Sequence, residues 1–184
     1  MRTALLAVLM FVALGSVGCS TAPASAEDRA ALKSDANRAL ARFKQLTPGL
    51  YKVYDDTSVG VAVFPTVGEG AFGVGYAQGR GVLLEKGKLT GYALIQKGSI
   101  GFQIGGQAYS EIIFFKDNPS LRDLKRETLE FAAEASAVIV NADASGSADY
   151  DNGVRVFIID AKGAMVEASI GGQQFSFTPA DAYE

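Results

Sequence analysis

The chain has 184 residues, with 17 Lys and Arg against 20 Asp and Glu for a net charge of -3, and it contains no histidine. A mildly acidic chain lacks the concentrated basic face that nucleic-acid phosphates demand. The missing imidazole removes histidine-based triads and the commonest metal ligand together. With a leader removed, roughly 160 residues can bury about two thirds of their unfolded surface, which is enough for one domain without disulfides or metals.

Residues 1–18 carry Arg2 and then the run ALLAVLMFVALG. That run is too short to span a bilayer and is built like a secretory signal, so export is expected. Two cleavage readings stand. GSVGC places small residues ahead of Cys19 as a bacterial lipoprotein signal does, although Ser16 occupies a position where leucine is usual. Ala24, Ser25 and Ala26 form an ordinary A-x-A site. Cys19 is the single cysteine, so it is acylated, paired with another chain, or discarded with the leader. The first reading anchors the chain to the periplasmic side of the envelope, at the outer membrane. The second leaves it soluble in the periplasm, beginning at Glu27.

Residues 19–27 are small, polar and interrupted by proline, the composition of a flexible tether. One domain, residues 28–184, is expected to follow. From Asp28 to Leu46 the apolar positions Leu32, Ala36, Ala39, Leu40, Phe43 and Leu46 recur at helical spacing, and Pro48 and Gly49 are expected to stop the helix. Arg29, Lys33, Arg38, Arg42 and Lys44 make this segment locally basic. It could lie against anionic lipid with the cations reaching headgroups, or it could be an ordinary amphipathic helix packed on a sheet.

Beyond it, VGVAVFP reads as a buried strand closed by proline, and the alternating segment 72–76, GRGVLLE, KLTGYALIQ, IGFQIGGQ and YSEIIFF read as further strands. Turns are expected at 78–81, 85–88 and 97–99. The dense glycines leave one sheet face nearly bare and allow close backbone approach. DNPSLRDLKRE carries a capping residue at Asp117 or Asn118, then Pro119, and suits a short helix. Val138, Ile139 and Val140 favour strand, and VRVFIID, AMVEASI and QQFSFTP alternate again, with turns at 151–153 and 161–163. The expected fold is α+β: a β-rich, glycine-punctuated antiparallel sheet or barrel-like assembly of about nine strands, with an N-terminal amphipathic helix and a short central one.

Chemistry-bearing motifs are weak. GEGAFG at 68–73 matches the dinucleotide pattern GxGxxG, but a glycine-rich strand follows it where the phosphate site needs a helix N-terminus. Asp143, Asp149 and Asp151 lie in a loop resembling a calcium site, yet the glycine comes one place early and no glutamate closes it. Glu130 and Glu134 would share a helix face and more simply meet water. No catalytic residue, metal or cofactor is expected, and the chain is read as not an enzyme.

The order VGVAVFP, GAFGVGYAQGRGVLL, GKLTGYALIQKGSIGFQIGGQAYSEIIFF and KGAMVEASIGG resembles the SYLF domain, also described as the yeast actin-regulator domain, from about Ala39 to Phe177. The resemblance implies a compact β-rich domain with flanking helices and no enzymatic activity. It also implies lipid binding, to phosphoinositide membranes in eukaryotic members, and actin binding in fungal ones. The export signal sets actin aside as a partner. The expected function is therefore that of an envelope lipoprotein contacting anionic membrane lipid, lipidated at Cys19, with Arg29, Lys33, Arg38, Arg42 and Lys44 as the lipid-facing residues. The other reading is a structural or partner-binding lipoprotein whose domain never touches lipid.

Overall fold

The structure, a computed structural model, describes residues 21–72, 74–100, 105–132, 135, 137–140, 150–160 and 170–183. Helix α1 (Ala26–Leu46) begins at the Ser25 cap, whose hydroxyl accepts from the Asp28 amide, and ends at Thr47. A second helix, α2 (Pro48–Thr57), follows at once. The first helix stops ahead of Pro48 and Gly49 as expected, and the second was not foreseen: proline at the first helical position sacrifices only an amide that has no intrahelical partner, so it also starts a new helix.

Four long strands come next: β1 (Gly60–Phe72), β2 (Val74–Glu85), β3 (Lys88–Ile100) and β4 (Gly105–Phe115). Here the expected strand count falls. Pro65 does not close a strand; β1 runs through it, with a register shift against both neighbours between residues 63 and 67. A bulge absorbs the missing amide. The expected turns at 78–81 and 97–99 lie inside β2 and β3, because glycine there lets the strand coil and does not reverse it. The reversals that do occur are between Phe72 and Val74, which pair directly, and at Lys86 and Gly87, both with positive φ.

The short helix α3 (Asn118–Lys125) is capped by Asp117, whose carboxylate accepts from the Ser120 amide at 2.9 Å. Strands β5 (Val138–Ile139), β6 (Val154–Asp160) and β7 (Gln173–Pro179) and a 3-10 turn at Ala180–Tyr183 complete the described chain. The turn at 151–153 forms, with Asn152 and Gly153 both left-handed. AMVEASI up to residue 169 and the turn at 161–163 lie outside the described residues, as do the leader, Cys19, Asp143, Asp149 and Glu134.

The strands form one open seven-stranded sheet in the order β5-β6-β4-β1-β2-β3-β7, antiparallel except where β5 runs parallel to β6. The fold is α+β. The sheet is not closed, but it is strongly curled, and two contacts measure the curl. Glu111 on β4 meets Gln173 on β7 at 3.0 Å, and the Phe64 and Phe175 ring centroids are 6.2 Å apart. Four steps along a flat sheet at ~4.8 Å each would hold β4 and β7 roughly 19 Å apart.

Each sheet face carries its own core. Inside the curl lie Phe64, Leu83, Ile95, Ile113, Phe115, Val156, Ile158 and Phe175, closed over by Leu121 and Leu124 of α3 and by Leu129. On the outer face Ala36, Ala39 and Phe43 of α1 and Tyr54 of α2 pack on Val63, Val82, Ile112, Phe114 and Phe157. Phe43 anchors this layer, with ring centroids 4.8 Å from Phe157 and 5.8 Å from Phe114.

Glycine permits the curl. A Cβ at Gly81 would stand 2.6 Å from the Val63 carbonyl oxygen and 2.6 Å from Phe64 Cδ1. A Cβ at Gly79 would stand 2.7 Å from the Thr66 oxygen. Real side chains do not tolerate such separations, so β2 can wrap this closely on β1 only without them.

Candidate functional site

The α1 cations do not form one basic face. At about 100° per residue, Lys33 and Lys44 fall on one flank of the buried stripe of Ala36, Ala39 and Phe43, and Arg38 and Arg42 fall on the other. Three of the five are engaged within the chain. The Arg29 guanidinium donates to the Pro23 and Ala24 carbonyls at 3.1 and 2.8 Å and lies 4.6 Å above the Tyr183 ring. Arg38 bonds Ser34 and pairs with Asp35. Lys44 sits 5.1 Å over Tyr51. Lys33 and Arg42 are exposed.

The expected flexible tether is docked. Ala22 is fully buried, Ser25 caps α1, and Arg29 clamps the carbonyls between them. Ala22 joins the outer-face core with Ala36 and Phe43, while Ala24 and Ser25 stay exposed. Beside them runs a surface groove of about 730 Å³, lined by Ala22, Pro23, Asp28, Leu32, Thr66 and Arg80 among others. It opens where α1 leaves the tether and where β1 bulges at Pro65. Its two lining carboxylates, Asp28 and Asp35, temper the cations nearby.

A second polar feature lies inside the curl. Glu111 is fully buried and Gln173 is 2 % exposed; Gln173 Nε2 donates to Glu111 Oε2. The remaining side-chain oxygens, Glu111 Oε1 and Gln173 Oε1, are buried and accept no hydrogen bond. Burial pushes the Glu111 carboxyl up to about 8, against the opposing bond from Gln173 and the charge of Lys97. Burial also raises the neighbouring Tyr109 phenol, with help from Glu111 and Glu69. Sequence reasoning passed over this pair. The signal was present in YSEIIFF, where alternation puts Glu111 on the same face as Ile113 and Phe115, a core face.

Of the other sequence candidates, Glu130 and Asp151 are exposed, and Asp151 closes the 151–154 bridge. The segment GEGAF lies in β1 as antiparallel ladder, and no helix opens behind it. Among the described residues no group of three or more acidic or cysteine side chains could hold a metal ion, and no helix is long and apolar enough to cross a membrane.

Comparison with known proteins gives one informative relative. The chain is 28% identical over 151 residues to Beta cell expansion factor A of Aeromonas veronii, an alignment covering 81% of this chain and 57% of that protein. The chain thus matches little more than half the length of this relative. No protein-family model matches the chain.

Proposed function

We propose that the protein is a non-enzymatic envelope lipoprotein whose SYLF-type domain is held against anionic membrane lipid through Cys19. The docked N-terminal segment carries this reading. The chain joins the folded body at Ala22, three residues beyond Cys19. At ~3.5 Å per residue, acyl groups on Cys19 would keep Ala22, where the groove begins, within roughly 10 Å of the bilayer. The sequence resemblance supplies the lipid class.

Energetics assign the parts different duties. Two or more acyl chains, at about 0.8 kcal/mol per buried methylene, make residence lasting. An exposed cation near an anionic surface contributes about 1 kcal/mol. With Arg29, Arg38 and Lys44 engaged internally and Asp28 and Asp35 close by, the basic side chains orient the domain and the anchor holds it.

A second reading has its own support: α1 packs on the sheet by Ala36, Ala39 and Phe43, so the same protein could serve as a partner-binding envelope lipoprotein without headgroup contact. Vesicle sedimentation separates the two. A chain beginning at Ser20 is mixed with vesicles containing anionic lipid, at low and high salt, and compared with a Lys33→Glu/Arg42→Glu variant. Salt-sensitive binding that the variant weakens supports lipid contact. Absence of binding at low salt refutes it and leaves the partner-binding reading. Mass spectrometry of the native N-terminus tests the anchor directly.

A further inference from the structure

We infer that Glu111 and Gln173 form a cyclic acid–amide pair holding one proton inside the curl, and that this proton latches the last strand to β4. The donor count leads to it. Gln173 Nε2 donates to Glu111 Oε2 at 3.0 Å, which leaves Glu111 Oε1 and Gln173 Oε1 as two buried acceptors without a donor. A buried polar atom left unpaired is costly, and two carbonyl-type oxygens cannot satisfy each other. One hydrogen on Glu111 Oε1, donated to Gln173 Oε1, removes both vacancies at once, because a neutral carboxyl is a donor as well as an acceptor.

The location makes this a latch. Among the described residues β7 pairs with β3 alone, and β4 lies four strands away in the sheet order. Across the gap, among the described residues, β7 is held by Gln173 to Glu111, by the Phe177 amide to Glu127 Oε1 at 2.9 Å, and by Phe175 packed against Phe64 and Phe131. The Gln173 bond is the buried one.

The charged and titratable groups on the same face are Lys97 of β3, Glu69 of β1 and Asp160 of β6, placed there by their register partners Gln173, Ala77 and Tyr109, and Tyr109 of β4, two residues before Glu111 on the same strand. Lys97 favours the carboxylate, while burial opposes it and prevails. A carboxyl raised on folding contributes stability that is complete below its ordinary value of 4.5 and is lost as pH rises through about 8. Within that window the folded chain carries the extra proton, so the folding equilibrium weakens by up to about tenfold per pH unit.

The test combines two measurements on the full chain. Urea unfolding between pH 4.5 and 8.5 is compared for wild type and Glu111→Gln, which replaces acid–amide by amide–amide pairing and keeps both bonds without a proton. In parallel, amide exchange of residues 173–177, corrected for the intrinsic pH dependence, reports on β7 itself. The expected result is a wild-type folding constant that falls with pH, a flat profile for Glu111→Gln, and β7 exchange that accelerates before the β1–β4 ladder. Equal pH profiles in the two proteins overturn the inference, as does β7 exchange that rises only with global unfolding. Should Glu111→Gln fail to fold, the 13C carboxyl shift of Glu111 in wild type decides. A midpoint well above the ordinary range sustains the pair, and a midpoint in the ordinary range overturns it.

Discussion

Replacing Gly81 with alanine tests whether glycine sets the curvature of the sheet. The added Cβ would fall 2.6 Å from the Val63 carbonyl oxygen and 2.6 Å from Phe64 Cδ1. The Phe64 ring is buried on all sides, and the Val63 oxygen belongs to a strand laddered to both β2 and β4, so neither can retreat alone. Overpacking of this kind costs about 1–3 kcal/mol, and a backbone atom among the clashing partners places the cost at the upper end. Gly68→Ala is the matched control, since a Cβ there meets nothing within 4 Å. It should be neutral, or stabilising by about 0.4–1 kcal/mol through the unfolded chain. For a chain of this length a Gly81 cost of about 2–3 kcal/mol corresponds to a Tm loss of roughly 4–12 °C, at 2–4 °C per kcal/mol. Urea denaturation followed by circular dichroism gives both values. If the two substitutions differ by less than about 0.5 kcal/mol, the range of ordinary surface changes, the close-approach argument is wrong.

Phe43→Ala should destabilise by about 3–5 kcal/mol, because the ring fills the space between α1, Tyr51, Phe114 and Phe157; equilibrium unfolding measures it, and a loss below about 1 kcal/mol would mean that α1 is not seated on the sheet. Arg29→Ala should free the tether while changing global stability little, since it removes the clamp on Pro23 and Ala24 and the contact with Tyr183. Amide exchange at residues 22 and 24 should accelerate in that variant, and unchanged exchange would show that burial of Ala22 alone holds the segment.

Much of this architecture is legible in the chain. The apolar spacing through Phe43, the capping residue Asp117, and the period-two alternation of YSEIIFF and VRVFIID are local patterns, and they form the expected helices and strands. Elements were misjudged where one residue type serves two purposes. Glycine at 79 and 81 reads as a turn but coils a strand, and Pro48 stops the first helix as read but also opens α2, which was not read. Residues 22–25 read as a tether, but Ala22 is buried and Ser25 caps α1. The site was harder still. A basic segment was visible, but its division between two flanks depends on which stripe of α1 the sheet buries.

By itself the sequence determined the α+β class, the helices α1 and α3 and the glycine-permitted sheet, because these follow from side-chain period, capping and backbone sterics within a few residues. Only the tertiary structure decided that β7 returns to within a hydrogen bond of β4 and that Glu111 is buried beside Gln173. The same holds for the cations that remain exposed. Those outcomes join residues far apart in the chain: the curl of the whole sheet brings 111 and 173 together, and no local pattern encodes a distance across it.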